Sequence, residues 1–127
     1  MAVSLDPVVT GAWHPVAVGR DLAPGVLRAV SLAGEDLVLW RGAEGVHAWQ
    51  DLCIHRGVKL SLGHVVDGCA LRCAYHGWTY DEAGRCAHMP AHPTLTPPPR
   101  ARVKTFACVE RAGLIWAPHL LRKLLSM

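Results

Sequence analysis

The chain contains no apolar run approaching the roughly 18 residues that a membrane-spanning helix requires. Its start, Met1 to Gly11, has no basic n-region and includes Asp6 and Pro7, so it does not read as a secretory leader. It has no basic block either. Its 13 Lys and Arg are interspersed with 10 Asp and Glu for a net charge of +3, which argues against nucleic acid as a partner. The cysteines do not form an even set: there are five, at positions 53, 69, 73, 86 and 108. These absences make a cytoplasmic, reducing location the expectation, and in such a compartment a disulfide framework is not expected. There is no internal repeat, and no biased segment beyond one Pro-rich stretch.

What is present is a 127-residue chain, 51% apolar, with 12 Gly and 9 Pro. That suits one compact, turn-rich domain over residues 1–127. The pattern is all-β. Trp13 to Val18 is a first apolar run, interrupted by Pro15. Val26 to Leu32, Leu37 to Trp40 and Val46 to Trp49 follow, separated by turns at Ala33 to Asp36 and Gly42 to Gly45. Such short strands, spaced by Gly and Asp, predict antiparallel sheets packed as a sandwich or small barrel. Residues 51–81 read as a subdomain with two loops, Cys53 to Gly57 and Cys73 to Gly77. Cys69 to Arg72 leads into the second loop, Trp78 to Asp81 leads out, and Asp81 to Gly84 turns. The five-proline segment His88 to Pro99 cannot be helix or central strand, so an extended surface connection is expected. Arg102 to Val109 and Leu114 to Trp116 predict a closing hairpin. Residues 118–127 have leucines at helical spacing and predict an end helix.

The chemistry is concentrated in Cys53-x-His55, 17 further residues, and Cys73-x-x-His76. Each half offers one thiolate and one imidazole. Four such donors can hold a tetrahedral zinc, or a two-iron cluster in which two Cys bind one iron and two His bind the other. Zinc knuckles usually pair C-x2-C with H-x3–5-H, and this spacing is neither. Gly57 and Gly77 follow the histidines, where a missing Cβ lets backbone N–H groups approach sulfur. A zinc-stabilised binding module is the alternative from a different class.

Cys53-Ile54-His55-Arg56-Gly57 and Cys73-Ala74-Tyr75-His76-Gly77-Trp78 resemble the two boxes of Rieske [2Fe–2S] proteins. More narrowly, the chain is similar to the N-terminal Rieske domain of ring-hydroxylating and demethylating oxygenases. Trp13 to Ala17, Leu37 to Arg41, Leu60 to Gly63, Tyr80-Asp81, Gly84 to Cys86, Met89 to Ala91 and Gly113 to Trp116 extend the likeness across roughly residues 12–117. The resemblance implies a Rieske-type antiparallel sandwich carrying a two-loop cluster-binding subdomain. It implies a [2Fe–2S] cluster held by Cys53, His55, Cys73 and His76, and one-electron transfer between redox proteins, a reductase donor and an oxygenase-type acceptor. Two ferric ions, two sulfides and two thiolates cancel in charge, so one added electron leaves a single negative charge.

Two departures from the family pattern matter. The positions after each box cysteine, often proline in the family, are Ile54 and Ala74, so looser loops are expected. Oxygenases of this family continue into a domain with a mononuclear iron held by two His and a carboxylate. His119 to Met127 does not look like its start. The expectation is therefore no catalytic residue here, with a complete oxygenase only if that domain is separate or missing. Respiratory Rieske proteins add a cysteine to each box and a Ser near a cluster sulfur; Val58, Tyr75 and Trp78 stand at or beside the matching positions here. Fewer hydrogen bonds to sulfur imply a potential low in the family range of about −150 to +300 mV.

The remaining residues carry plainer expectations. Cys69, Cys86 and Cys108 read as small buried hydrophobes. Trp13, Trp40, Trp49 and Trp116 read as core, and Trp78 as a shield or partner contact at the second box. Asp51 and Asp81 read as fixing loop turns. His14, His47, His64, His88, His92 and His119 read as surface or hydrogen-bonded imidazoles.

Overall fold

The computed structural model describes residues 13–32, 34–53, 57–74, 77–91 and 94–118. Among the described residues, eleven antiparallel strands form three sheets. The middle sheet is the meander β2 (Leu27–Leu32), β3 (Glu35–Gly42) and β4 (Gly45–Gln50), with β9 (Thr105–Phe106) at its edge. A second sheet orders β1 (Trp13–Val18), β11 (Leu114–Pro118) and β10 (Val109–Arg111). The third runs β5 (His64–Val66), β6 (Ala70–Arg72), β7 (Thr79–Asp81) and β8 (Cys86–His88).

Period-two alternation on β3 and β4 explains why the middle sheet is covered on both faces. Val38 and Trp40, with Trp49 opposite Val38, join a core that includes Leu71, Cys73, Tyr80 and Cys86 of the third sheet or its flanks. Leu39, with Ala48 opposite, joins Leu22 and Ile115 in a second core on the other face. All four residues Leu37 to Trp40 are therefore buried, as a two-sided strand demands.

Pro15 sits in β1, which pairs only with β11, and the register shifts between Pro15 and Ala17. An edge strand with a bulge is where a residue lacking an N–H is tolerated. The single strand expected over Arg102 to Val109 is corrected. Thr105–Phe106 pairs with β4, and Val109–Arg111 pairs with β11, so the chain changes sheet between them. β5 was not expected, and the Pro-rich segment begins later than expected, because β8 extends to His88. Residues 94–100 carry no strand and are largely exposed. Ala101 and Val103 then pin the chain back, through Cys86 N–H to the Ala101 carbonyl (2.8 Å) and Val103 N–H to the Gly84 carbonyl (2.7 Å).

Trp40 and Trp49 are core, whereas Trp13 and Trp116 are half-buried; Trp116 spends its indole N–H on the Arg111 carbonyl at 3.0 Å. Cys86 is buried and Cys108 half-buried, but Cys69 is exposed, because it precedes β6 at the turn that joins it to β5. The helix expected over residues 118–127 falls almost wholly outside the described residues. Among the described residues, no helix is long and apolar enough to cross a membrane.

Candidate metal centre

The two box loops are built alike. In the first, Cys53 N–H donates to the Val58 carbonyl (2.7 Å) and Gly57 N–H to the Cys53 carbonyl (2.8 Å). In the second, Cys73 N–H donates to the Trp78 carbonyl (2.8 Å). Each cysteine thus bonds to the residue five positions on, and each loop reverses at a glycine four positions on. Gly57 and Gly77 have φ of 72° and 69°, the left-handed region that favours glycine. A Cβ on Gly77 would also stand 3.1 Å from Pro90 Cγ. Thr79 Oγ donates to the Gly77 carbonyl (3.2 Å) and accepts from Arg72 Nε (3.2 Å), which ties that loop to its stem.

Cys53 and Cys73 end up 0% and 1% exposed in one core, and neither is in a disulfide. Tyr80, also fully buried, places its hydroxyl 3.3 Å from Cys53 Sγ. Burial, then the hydrogen bond to Cys53, push the Tyr80 pKa far above its usual range, so the phenol keeps its proton. Burial likewise raises the Cys86 thiol, which leaves it neutral. Two buried thiols on matched loops, with a phenol hydroxyl 3.3 Å from one sulfur, suit a thiolate-bound metal group. Coordination deprotonates a thiol and removes the cost of burying a bare thiolate. His55 and His76 lie outside the described residues, and among the described ones no group of three or more His, Cys, Asp and Glu converges on a metal position.

Sequence reading missed Tyr80 as the hydrogen-bond partner of the Cys53 sulfur. Its signal was modest: a tyrosine on an apolar strand seven residues past Cys73, needing a partner once buried. Asp81 fixes a turn as expected, whereas Asp51 bonds to a residue ten positions on. Asp81 Oδ1 accepts Ala83 N–H (2.9 Å) and Arg85 N–H (3.1 Å). Asp51 is 3% exposed, and its two oxygens accept Ser61 N–H and Ser61 Oγ–H, each at 2.7 Å. His47 is hydrogen-bonded, with Nε2 2.7 Å from Glu82 Oε1.

With two matched loops and two buried thiols in place, comparison with known proteins settles the class. The Rieske [2Fe–2S] domain family matches residues 12–107, and the chain belongs to that family. Domains of this family bind a [2Fe–2S] cluster. Methylxanthine N1-demethylase NdmA of Pseudomonas putida is 45% identical over 109 residues, covering 82% of this chain and 31% of the relative. Oxidoreductase NdmD of the same organism is 43% identical over 106 residues, covering 82% of this chain and 18% of the relative. The solved structure of NdmA superposes with a TM-score of 0.77 at 43% identity, over 84% of this chain and 34% of that one. The reduced complex between oxygenase and ferredoxin in carbazole 1,9a-dioxygenase gives 0.75 at 28% identity, over 84% of this chain and 28% of that one. The chain thus spans about a third or less of the length of these relatives.

Proposed function

We propose that Cys53, His55, Cys73 and His76 hold the [2Fe–2S] cluster and that the protein is a one-electron carrier or the electron-transfer part of a demethylating or ring-hydroxylating oxygenase. The observation that carries the ligand reading is the pair of buried thiols, Cys53 and Cys73, on two loops in which each cysteine N–H donates to the carbonyl five residues on. Each loop then supplies one imidazole from its own box, His55 two residues after its cysteine and His76 three. When bound, the cluster supplies one-electron redox chemistry at a neutral-to-singly-negative centre. The chain's part is to exclude water with Trp49, Leu60 and Leu71, to present the two thiolates, and to hold the Tyr80 proton against the Cys53 sulfur.

The proposed partners follow from relatives that are demethylases and oxygenase–ferredoxin complexes: a reductase as donor and an oxygenase-type acceptor. The proposed location is the cytoplasm, with residues 1–127 as one domain. No residue here is assigned to oxygen chemistry.

Iron and acid-labile sulfide analysis tests the reading. About two of each per chain, a brown colour and a rhombic EPR signal on reduction are expected. A colourless, zinc-loaded protein would overturn it. His76→Ala is expected to abolish the spectrum, and a retained spectrum would remove His76 from the ligand set. Because imidazole ring protons couple to redox state, the potential is expected to fall with pH on the alkaline side.

A further inference from the structure

The two ligand loops are held at their stems by different means. The second lies between β6 and β7, whose ladder pairs Arg72 with Thr79 across its base. The first has no such ladder. It leaves β4 at Gln50, and the next strand, β5, starts at His64 and pairs with β6 instead. Across that unladdered base stands Asp51, two residues before Cys53. Its oxygens take both the N–H and the Oγ–H of Ser61, which lies in the 3-10 turn Leu60–Leu62 that follows the loop.

From this geometry we infer that Asp51 is a positioning residue for the cluster. Its buried carboxylate clamps the two ends of the first ligand loop at one separation and does for Cys53 and His55 what the β6–β7 ladder does for Cys73 and His76. The inference rests on the reading of Cys53 and His55 as ligands. A carboxylate that is 3% exposed is costly unless its bonds are made, so the clamp is an all-or-none feature of the folded loop. The rest of the stem is fixed around it. Asp51 N–H donates to the Asp36 carbonyl (2.9 Å), Gln50 N–H to the Lys104 carbonyl (2.9 Å), and Leu60 is fully buried. Lys59, beside this base, pairs with Asp36 of β3 at 3.1 Å and also feels the Asp51 charge, but the pair is solvent-exposed and weak.

The test uses the cluster-loaded full chain and follows the first-order loss of visible absorbance to an iron chelator, with reduction potential and EPR g-values recorded alongside. Loss of a group hydrogen-bonded to a metal ligand typically costs about 10–100-fold in metal affinity, and Asp51, one contact further out, is set at the low end of that range. Asp51→Ala is therefore expected to release iron at least roughly ten-fold faster than wild type, and Ser61→Ala several-fold faster. Asp51→Asn is expected to restore slow release, because an amide oxygen still accepts the Ser61 N–H and its NH2 can donate to Ser61 Oγ.

Val30→Ala, in the core on the far face of the middle sheet, is the control for plain destabilisation. It is expected to lower Tm without accelerating release or moving the g-values. The inference is overturned if Asp51→Ala and Ser61→Ala hold iron as long as wild type, or if Val30→Ala accelerates release as much as they do. Should Asp51→Ala fail to fold, Ser61→Ala against Val30→Ala decides the matter. Failure of the ligand reading is seen separately, as a wild-type spectrum in His55→Ala.

Discussion

Replacing Tyr80 with Phe removes one oxygen from a fully buried position and nothing else. The ring stays in place, edge-on to Trp49 at a centroid separation of 6.4 Å. What is lost is the contact from the phenol to Cys53 Sγ at 3.3 Å. If Cys53 is a thiolate ligand, as proposed, it has no proton of its own and the buried, protonated phenol is the donor. Reduction adds negative charge at the metal–sulfur centre and strengthens that bond, so its loss destabilises the reduced form more than the oxidised one. A hydrogen bond of this kind is worth about 1 kcal/mol net and up to ~3 kcal/mol when charge-assisted. Converted at about 59 mV per tenfold for one electron, Tyr80→Phe should lower the potential by about 40 mV, with ~130 mV as the ceiling. The assay is a redox titration followed by visible circular dichroism, with the oxidised spectrum as the check that ligation is intact. A potential that rises, or stays within about 10 mV of wild type in a protein with an unchanged spectrum, would refute the assignment of Tyr80 as a donor to the cluster.

Gly77→Ala places a side chain at φ 69° and against Pro90, so it should cost about 1–2 kcal/mol from backbone strain alone; thermal melting and cluster retention should fall together. Leu71→Ala opens a cavity in the core between the middle and third sheets, and chemical denaturation should show a loss of about 2–5 kcal/mol with an unchanged m-value. Glu82→Gln probes the His47 contact. Burial raises the Glu82 carboxyl, but hydrogen bonds from His47 and from the Glu44 and Ala43 amides outweigh it and hold the pKa below its ordinary value. A lowered carboxyl stabilises the fold above its unfolded pKa, and that stabilisation is lost as pH falls through the folded one. Wild type should therefore exceed Glu82→Gln at neutral pH and converge with it in acid. A gap that widens on acidification in pH-dependent melts would contradict the assignment.

Local patterning made the β2–β3–β4 meander legible. Val, Leu and Trp runs of strand length, separated by Gly-containing turns, can bury themselves only by pairing with their neighbours in sequence. The two Cys–His boxes were legible as a family signature for a related reason: cysteine–histidine spacing this short is a property of a few neighbouring residues. Contacts whose partners are far apart in sequence were not legible. Nothing around Thr105 shows that it pairs with Trp49, or that the chain then crosses to β11, because both pairings depend on which sheet edge is free once the cores have formed. The exposure of Cys69 was hidden likewise: a small apolar residue beside a strand reads as buried until the turn before that strand is located.

What the amino-acid sequence determined by itself is the chemistry on offer: two Cys–His boxes of unequal spacing, a glycine closing each, and an all-β frame around them. These are properties of short stretches, set by residue type and by neighbours a few positions away. The tertiary structure alone decided which groups surround the two sulfurs. It placed the Tyr80 hydroxyl against Cys53 from 27 residues away, and set the Asp51 carboxylate across a loop base that no strand ladder holds. Such contacts exist only after the third sheet has packed on the middle one, and burial then gives a single proton or carboxylate its weight.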